Sequence, residues 1–355
     1  MGNAIRGYAA RSGDTPLRLF DFERRSPRPD DVVIEILYCG VCHSDLHGAR
    51  NNWGSAKYPM VPGHEIVGRV TATGNDVTRF AVGDYVGVGC MVDSCRACSS
   101  CGAGLEQYCE RGATSTYNNV DRHDGSRTYG GFSEQIVVSE RFVLKMPDGL
   151  DLKAAAPLLC AGITAYSPLR HWRVGPGSRV AVVGLGGLGH MALKFARAMG
   201  AEVTLITRSA GKDADARALG AHHVVASTDD AQMTAAKEHF DLIVDTVPYQ
   251  HDINPYVATL APGGTLVMIG HFGKLEPAVN STPLLMKRRA VAGSYIGGIP
   301  ETQEMLDFCG EHNIVCDIEM IDIQQIDEAF DRMLASDVKY RFVIDMASLN
   351  SAARA

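Results

Sequence analysis

The feature that most constrains the fold is a strand-like run that passes through a glycine turn into a segment with helical periodicity. Residues 180–183 are Val-Ala-Val-Val, and the turn that follows is Gly184, Leu185, Gly186, Gly187, Leu188 and Gly189. Beyond it, apolar residues recur at helical spacing. Such a turn lets the backbone approach a pyrophosphate, whose charge meets the N-terminus of the helix. The motif therefore predicts a dinucleotide-binding site.

The turn opens a region in which strand-like and helix-like segments alternate. Six apolar runs, separated mostly by segments of helical periodicity, lie at residues 180–183, 203–206, 223–225, 241–244, 265–269 and 290–295. Strands joined by crossover helices form a parallel sheet covered on both faces. The sequence therefore predicts a doubly wound, six-stranded Rossmann domain over residues 155–296.

The flanking segments read differently. Residues 1–154 contain short β-like runs broken by Gly and Pro, and their loops carry most of the Cys and His residues. This predicts a mostly β domain. Residues 297–355 contain two helix candidates and a strand-like run at 340–345. That tail is too short to enclose a core, so we expect it to complete the first domain. The fold class is α/β.

Charge and hydropathy exclude several classes of protein. Lys and Arg number 34 and Asp and Glu number 41, which gives a net charge of −7 and argues against a nucleic-acid partner. No run approaches the roughly 18–20 apolar residues that span a bilayer, so we expect no membrane association. The first residues contain no apolar secretory core, and we expect a cytoplasmic protein.

Four of the ten cysteines are crowded into one loop. They are Cys95, Cys98, Cys101 and Cys109, with the spacing C-x2-C-x2-C-x7-C. Four thiolates can surround one zinc ion tetrahedrally, and such a site leaves no position open for a substrate. An iron–sulfur cluster is the main alternative, because the first three spacings also suit one. We favour a structural zinc ion.

A second group of candidate ligands is spread along the chain and consists of Cys42, His64, Glu65 and Cys160. A zinc ion held by two Cys and one His keeps a position open and can polarise a carbonyl oxygen. The sequence GVCHSDLH at residues 40–47 places further proton-carrying groups beside Cys42. Spacing alone does not establish this group, because an isolated Cys or His is more often a packed core residue.

The residues that follow the second strand of the Rossmann region discriminate between the two nicotinamide cofactors. An NAD site has a carboxylate there for the ribose 2′-hydroxyl. Here the segment holds Thr207, Arg208, Ser209 and Lys212, and no carboxylate precedes Asp213. Hydroxyls and cations suit a 2′-phosphate, for which Arg is the better planar partner. The segment therefore favours NADP, although a solvated basic turn is the simpler interpretation.

Taken together, these motifs resemble a known family. Their order along the chain is CHSDLH at 42–47, VPGHEIVG at 61–68, the four-cysteine loop, CAGIT at 160–164 and the glycine turn. The chain resembles the zinc-dependent medium-chain alcohol dehydrogenases, and more closely their cinnamyl alcohol dehydrogenase-like, NADP-dependent branch. The resemblance covers essentially the whole chain. It implies a GroES-like catalytic domain beside the Rossmann domain, and a homodimer.

The resemblance also implies roles for individual residues. It implies that Cys42, His64 and Cys160 hold a catalytic zinc ion and that Glu65 can ligate it in the resting state. Asp45 would orient His64, while Ser44 would start a proton relay through the nicotinamide ribose to His47. Further implied contacts are Thr164, Thr246, Gly270, Ser294, Tyr295 and Ile296 for the cofactor, and Trp53, Cys90, Tyr117, Tyr295 and Ile296 for the substrate. Residues 50–54 differ from those of plant members, so a lignin-precursor substrate is not implied.

The predicted function is that of an NADP-dependent zinc alcohol dehydrogenase acting mainly as an aldehyde reductase, with two zinc ions per chain. A polyol or amino-alcohol dehydrogenase working in the oxidative direction is one alternative. A non-enzymatic NADP-binding or zinc-storage protein is another, and the polar groups around Ser44 argue against it.

Overall fold

The computed structural model describes residues 3–208, 211–270 and 273–350. The chain forms two compact units, one made of residues 1–160 and 297–355 and the other of residues 161–296. The sequence places the first boundary after residue 154. In the structure, the helical turns at residues 152–159 pack against strands of the first unit, which places the boundary after Cys160.

Strands and helices are numbered along the whole chain. The strands of the first unit are β1 (Asn3–Ala9), β2 (Arg18–Arg24), β3 (Asp31–Gly40), β4 (Ile66–Thr73), β5 (Tyr85–Val88), β6 (Met91–Asp93), β7 (Thr114–Ser115), β8 (Gln135–Ser139), β9 (Leu144–Lys145), β16 (Ile318–Asp322) and β17 (Arg341–Asp345). Its helices are α1 (His43–Ala49), α2 (Ser99–Gly102), α3 (Leu152–Ala155), α10 (Ile299–His312) and α11 (Ile326–Leu334).

The long strand β3 organises the first unit. It belongs to a sheet with the order β16-β17-β3-β4-β5-β9, and β8 also pairs with β3. Both faces of β3 are covered, because the neighbouring residues Val32 and Val33, which point to opposite faces, are both buried. Strand β17 pairs antiparallel with the end of β3, with Val343 opposite Gly40. The C-terminal segment thus adds two strands to the sheet of the first unit, next to the start of α1.

The second unit contains the predicted parallel sheet. Its strands are β10 (Arg179–Val183), β11 (Glu202–Thr207), β12 (His223–Ala226), β13 (Phe240–Asp245), β14 (Leu260–Met268) and β15 (Ala290–Gly293). Its helices are α4 (Ala161–His171), α5 (Gly189–Ala198), α6 (Asp213–Ala218), α7 (Asp230–Ala235), α8 (Asn254–Thr259) and α9 (Ser281–Lys287). The order β12-β11-β10-β13-β14-β15 confirms the six-stranded, doubly wound sheet.

The last of these strands is shorter than the sequence predicts. It ends at Gly293 rather than at Tyr295. Ser294 still donates a backbone hydrogen bond to the carbonyl of Met268, but Ile296 has a φ of 38° and cannot continue a strand. Among the described helices of the chain, none combines the length and apolar character needed to cross a bilayer.

The glycine turn needs glycine at particular positions. Gly184 has a φ of 91°, and its N–H donates to the carbonyl of Ile206 at 3.0 Å. A Cβ atom at Gly189 would overlap the carbonyl oxygen of Gly184. Strand β10 is buried from Val180 to Val183, so the turn is held at the carboxyl edge of the sheet.

Candidate metal centres and active site

The four-cysteine loop brings its sulfur atoms together. Those of Cys95, Cys98, Cys101 and Cys109 all lie within 4.8 Å of one another. Sulfurs at a Zn–S distance of about 2.3 Å stand about 3.8 Å apart at the corners of a tetrahedron. Cys95 Sγ and Cys101 Sγ are 3.9 Å apart, which matches that edge and is far too long for a disulfide bond. The geometry therefore fits one ion held by four sulfurs.

Backbone groups favour the thiolate form in this cluster. The N–H of Cys95 points at Cys109 Sγ, and the N–H of Cys98 points at Cys95 Sγ, both at 3.4 Å. Backbone donors, chiefly Ala97, lower the pKa of Cys95 to about 6, whereas burial raises the pKa of Cys101 to about 11. Because the thiolate is the metal-binding form of Cys, the loop is prepared for a cation.

The second candidate centre lies entirely in the first unit. Donor atoms of Cys42, His64, Glu65 and Cys160 lie within 4.8 Å of one another, and the two sulfurs are 3.9 Å apart. Cys42 stands at the N-terminus of α1, the His64-Glu65 pair comes directly before β4, and Cys160 follows a short 3-10 turn at Ala156–Leu159. Pairing of β3 with β4 brings the first three together.

Asp45 fixes the orientation of His64. Its Oδ1 lies 3.0 Å from His64 Nδ1 and accepts from the N–H of Gly63 at 2.9 Å, while Oδ2 accepts from the N–H of Cys42 at 2.9 Å. The carboxylate therefore places a proton on Nδ1 and leaves the lone pair of Nε2 available to bind a metal ion. Burial alone would lower the pKa of His64, but Asp45 raises it above its usual value.

Glu65 is held by a buried arginine. Arg341 on β17 donates from Nη2 to Glu65 Oε1, and the second oxygen, Oε2, has no hydrogen-bond partner among the described residues. Burial raises the pKa of Glu65 to about 7, although Arg341 opposes the shift. A Cβ atom at Gly40 would overlap the carboxylate, so glycine is required at this end of β3. Glu65 thus has one oxygen held by Arg341 and a second oxygen that is available to bind a cation.

The two cysteines of this centre shift each other's pKa in opposite directions. Contact with Cys160 lowers the pKa of Cys42 well below its usual value, and contact with Cys42 raises the pKa of Cys160. The thiolate form, which is the form that binds a cation, is therefore favoured at Cys42. A cation would favour loss of the second proton as well.

The relay candidates lie on one short helix. Ser44 and His47 are both in α1, and Tyr117 Oη donates to the carbonyl of Ser44 at 3.1 Å. The amide Nδ2 of Asn52 lies 2.8 Å from His47 Nδ1, and burial lowers the pKa of His47. Among the described residues, no hydrogen bond connects Ser44 directly to His47.

Of the first-unit candidates for a substrate pocket, Tyr117 and Cys90 lie beside residues of this centre, and Trp53 lies beside His47. The ring of Tyr117 lies 5.8 Å from that of His64, and the ring of Trp53 lies 5.5 Å from that of His47. Cys90 Sγ is 3.9 Å from the carbonyl oxygen of Leu159, next to Cys160. The remaining candidates, Tyr295 and Ile296, belong to the second unit and follow β15.

Most cofactor candidates lie at the carboxyl edge of the parallel sheet, where ligands of doubly wound folds bind. The positions are the glycine turn after β10, Thr207 and Arg208 at the end of β11, Lys212 before α6, Thr246 after β13, Gly270 after β14 and Ser294 after β15. Thr246 Oγ1 donates to the carbonyl of Val183 at 2.8 Å, beside the turn. Thr164 lies on α4, and Ser209 is outside the described residues.

Sequence reasoning missed two residues of the second centre. In the sequence, Arg341 is only one residue of the strand-like run at 340–345, and Gly40 is only the start of GVCHSDLH. A charged residue directly before three apolar residues of a strand is a signal that could have identified Arg341. The pairing itself joins residues 276 positions apart, so the sequence could not have shown its partner.

Comparison with known proteins agrees with this fold. Residues 28–148 match the alcohol dehydrogenase GroES-like domain family, and residues 187–311 match the zinc-binding dehydrogenase family. The structure of a cinnamyl alcohol dehydrogenase from Sorghum bicolor superposes with a TM-score of 0.93, at 47% identity, over 97% of this chain and 98% of that one. A cinnamyl alcohol dehydrogenase from Helicobacter pylori, complexed with NADP(H), gives a TM-score of 0.90 at 42% identity, over 98% of this chain and 99% of that one.

Two curated relatives share more than half of their aligned residues with this chain. The aldehyde reductase YahK of Escherichia coli is 54% identical over 97% of this chain and 99% of its own length. The NADP-dependent alcohol dehydrogenase C 1 of Mycolicibacterium smegmatis is 53% identical over 98% of this chain and all of its own length. A GroES-like unit, a Rossmann unit and two metal-ligand clusters define a two-domain dehydrogenase. The chain belongs to the zinc-dependent medium-chain alcohol dehydrogenase family, and it is an oxidoreductase.

Proposed function

We propose that this chain is an NADP(H)-dependent zinc alcohol dehydrogenase that acts mainly as an aldehyde reductase. The observation that carries the proposal is the convergence of Cys42, His64 and Cys160 at the spacing that one zinc ion requires. Relatives named as an aldehyde reductase and as an NADP-dependent alcohol dehydrogenase support the direction and the cofactor.

The donor sets fit two zinc ions per chain. Cys95, Cys98, Cys101 and Cys109 would hold a structural ion, because four sulfurs complete its coordination. Sulfurs within 4.8 Å of one another suit a single ion better than an iron–sulfur cluster, which occupies more space between its ligands. Cys42, His64 and Cys160 would hold the catalytic ion. When bound there, zinc supplies Lewis-acid chemistry toward a carbonyl or alcohol oxygen.

Around that centre, the chain positions the ligands and moves the proton. Asp45 keeps the donor atom Nε2 of His64 free, and Arg341 holds one oxygen of Glu65 while the other can turn toward the centre. Ser44 Oγ would give a proton to the substrate oxygen and be reprotonated through His47. The amide of Asn52 donates to His47 Nδ1, so the proton of the neutral ring is on Nε2. Burial lowers the pKa of His47, so the ring is neutral at neutral pH, and after taking a proton from solvent it would pass that proton on readily.

The second unit would hold NADP(H), which supplies the hydride when bound. The glycine turn receives the pyrophosphate at the N-terminus of α5. Beyond β11, the exposed guanidinium of Arg208 and the ammonium of Lys212 would face the 2′-phosphate. The free cysteines and the thiolate donor sets suit a reducing compartment, and we place the protein in the cytoplasm.

Replacing Arg208 with Asp should exchange the cofactor preference. A carboxylate repels the 2′-phosphate and accepts from a ribose 2′-hydroxyl, so we expect the Kd for NADPH to rise about 100-fold and that for NADH to fall severalfold. Fluorescence titration with each cofactor measures both. Arg217→Asp is the matched control, because Arg217 is an exposed arginine of α6 that pairs with Asp213. An unchanged NADPH-to-NADH ratio in Arg208→Asp would contradict the assignment.

The proposed reaction is tested by metal content together with a substrate panel. Purified protein is analysed for zinc and iron per chain and is assayed with NADPH or NADH on benzaldehyde, cinnamaldehyde and short aliphatic aldehydes. Polyols and amino alcohols are assayed with the oxidised cofactors. We expect two zinc ions and NADPH-dependent aldehyde reduction. Stronger polyol oxidation would favour the alternative reaction, and cofactor binding without turnover would favour a non-enzymatic protein.

We further propose a homodimer that forms at the edge of the parallel sheet. Strand β15 is the last strand of that sheet, and Leu285 and Met286 on the preceding α9 are 80% and 75% exposed. An open strand edge beside exposed apolar side chains suits two-fold pairing with a second copy. Leu285→Asp combined with Met286→Asp should shift the protein from dimer to monomer in light scattering. Val82→Asp, at an exposed apolar position of the first unit, should remain dimeric, and a dimeric double variant would refute this interface.

A further inference from the structure

A buried carboxylate at the end of β13 fastens the loop that follows. Asp245 is 2% exposed, and its Oδ1 accepts from the N–H of Val247 at 3.1 Å. Its Oδ2 lies 2.9 Å from Nε2 of His251, at the far end of the loop. Between these points, Thr246 and Val247 pack over the glycine turn, where both would contact a Cβ atom at Gly184. One carboxylate therefore ties both ends of this loop beside the predicted pyrophosphate site.

The contacts of His251 favour a doubly protonated ring. Its Nδ1 lies 2.7 Å from the carbonyl oxygen of Tyr249, and its Nε2 faces the carboxylate of Asp245. Both partners can only accept a hydrogen bond, so a proton on each ring nitrogen would satisfy both contacts and make the ring a cation that pairs with Asp245. The Asp245 contact raises the pKa of His251 above its usual value, and partial burial and the charge of Arg208 oppose it.

Charged groups from several elements surround this ring. Asp245 ends β13, Arg208 follows β11, Asp252 is the next residue in the loop, and Tyr256 lies on α8. Asp252 accepts from the backbone N–H and the side chain of Asn254, so it faces the start of α8. Burial raises the pKa of Tyr256, and Arg208 lowers it. The charge of Arg208 thus acts on both His251 and Tyr256, and among the described residues a carboxylate pairs with His251.

We propose that His251 is a positioning residue for the 2′-phosphate of the cofactor: pinned by Asp245, it holds the loop after β13 on the glycine turn and adds a second positive charge beside Arg208. A phosphate dianion is the ligand that two neighbouring positive charges bind most favourably. His251 does not need to touch it, because the charge and the loop position both act at a distance. The inference rests on the NADP assignment of the proposed function.

The test compares the cofactors that have and lack the 2′-phosphate. In His251→Gln, we expect the Kd for NADPH and for the probe 2′,5′-ADP to rise about tenfold at pH 6.5, because the variant removes one positive charge near the phosphate. The Kd values for NADH and 5′-AMP should stay within about twofold, because they lack the recognised group. Isothermal titration calorimetry measures all four. His223→Gln is the matched control, since His223 makes an equivalent pair with Glu202, 3.1 Å apart, where β11 and β12 begin.

A pH series separates the charge from a purely structural role. The cation is present below the raised pKa of His251 and is lost as pH rises through it, so the preference of the wild type for NADPH should decline over that range. His251→Gln should lack this decline. Equal weakening of NADPH and NADH, or no change in either, overturns the inference. A wild type without preference for NADPH would instead mean that the cofactor assignment fails, and the inference with it.

Discussion

Cys42→Ala should lower kcat/KM for aldehyde reduction about a thousandfold, the scale on which a Lewis acid stabilises developing charge on oxygen. The substitution removes one of two sulfurs that stand 3.9 Å apart, so the remaining donors cannot retain the ion tightly. Zinc analysis should show about one ion per chain instead of two. The Kd for NADPH should change little, because the glycine turn belongs to the other unit.

The matched control for Cys42→Ala is Cys39→Ala. Cys39 is a fully buried thiol on β3, three residues before Cys42, and burial raises its pKa. Removing it deletes packing near the centre but no donor atom, so metal content and kcat should be retained. A Cys42→Ala protein that keeps both zinc ions and full turnover would refute the mechanism. Equal loss of activity in both variants would mean that the effect is structural.

The two metal-ligand clusters show which parts of the site a sequence can predict. Cys95, Cys98, Cys101 and Cys109 lie within 15 residues of one another, so their spacing was enough to predict a cluster. Cys42, His64 and Cys160 meet only because β3 pairs with β4 and a buried turn returns to that sheet. The spacing of residues that far apart carries no information, and only the resemblance to a family connected them.

The parallel sheet was predictable for a different reason. Strands buried on both faces must be apolar throughout, so the runs after residue 180 are visible in the sequence. Strands β1 and β2 are harder to predict, because they form a separate two-stranded ladder and β2 mixes charged residues among its apolar ones. Arg24 on β2 is one example: its guanidinium is buried and donates to the carbonyls of Tyr129 and Gly130. From the sequence alone, such a charged residue would be expected on the protein surface.

Cys109→Ser should remove the structural ion and leave the catalytic centre intact. Cys109 is the most buried sulfur of its cluster and accepts from the N–H of Cys95. Without it, three sulfurs remain and the loop between β6 and β7 loses its main constraint. Because metal binding is coupled to folding of such loops, we expect Tm to fall by about 10 °C. Zinc analysis should again show about one ion per chain.

The two ligand variants separate the roles of the two clusters, since each loses one ion but with opposite consequences. Below its lowered Tm, Cys109→Ser should retain most of its kcat, whereas Cys42→Ala should retain its Tm and lose turnover. Cys309→Ser is the control for Cys109→Ser, because Cys309 is a buried thiol that packs on Met305 at 3.6 Å and belongs to neither cluster. It should keep both ions. If Cys109→Ser kept two zinc ions, or if the wild type contained iron, the four-sulfur loop would not be a structural zinc site. If Cys109→Ser lost all turnover at a temperature where it is fully folded, the cluster would not be purely structural.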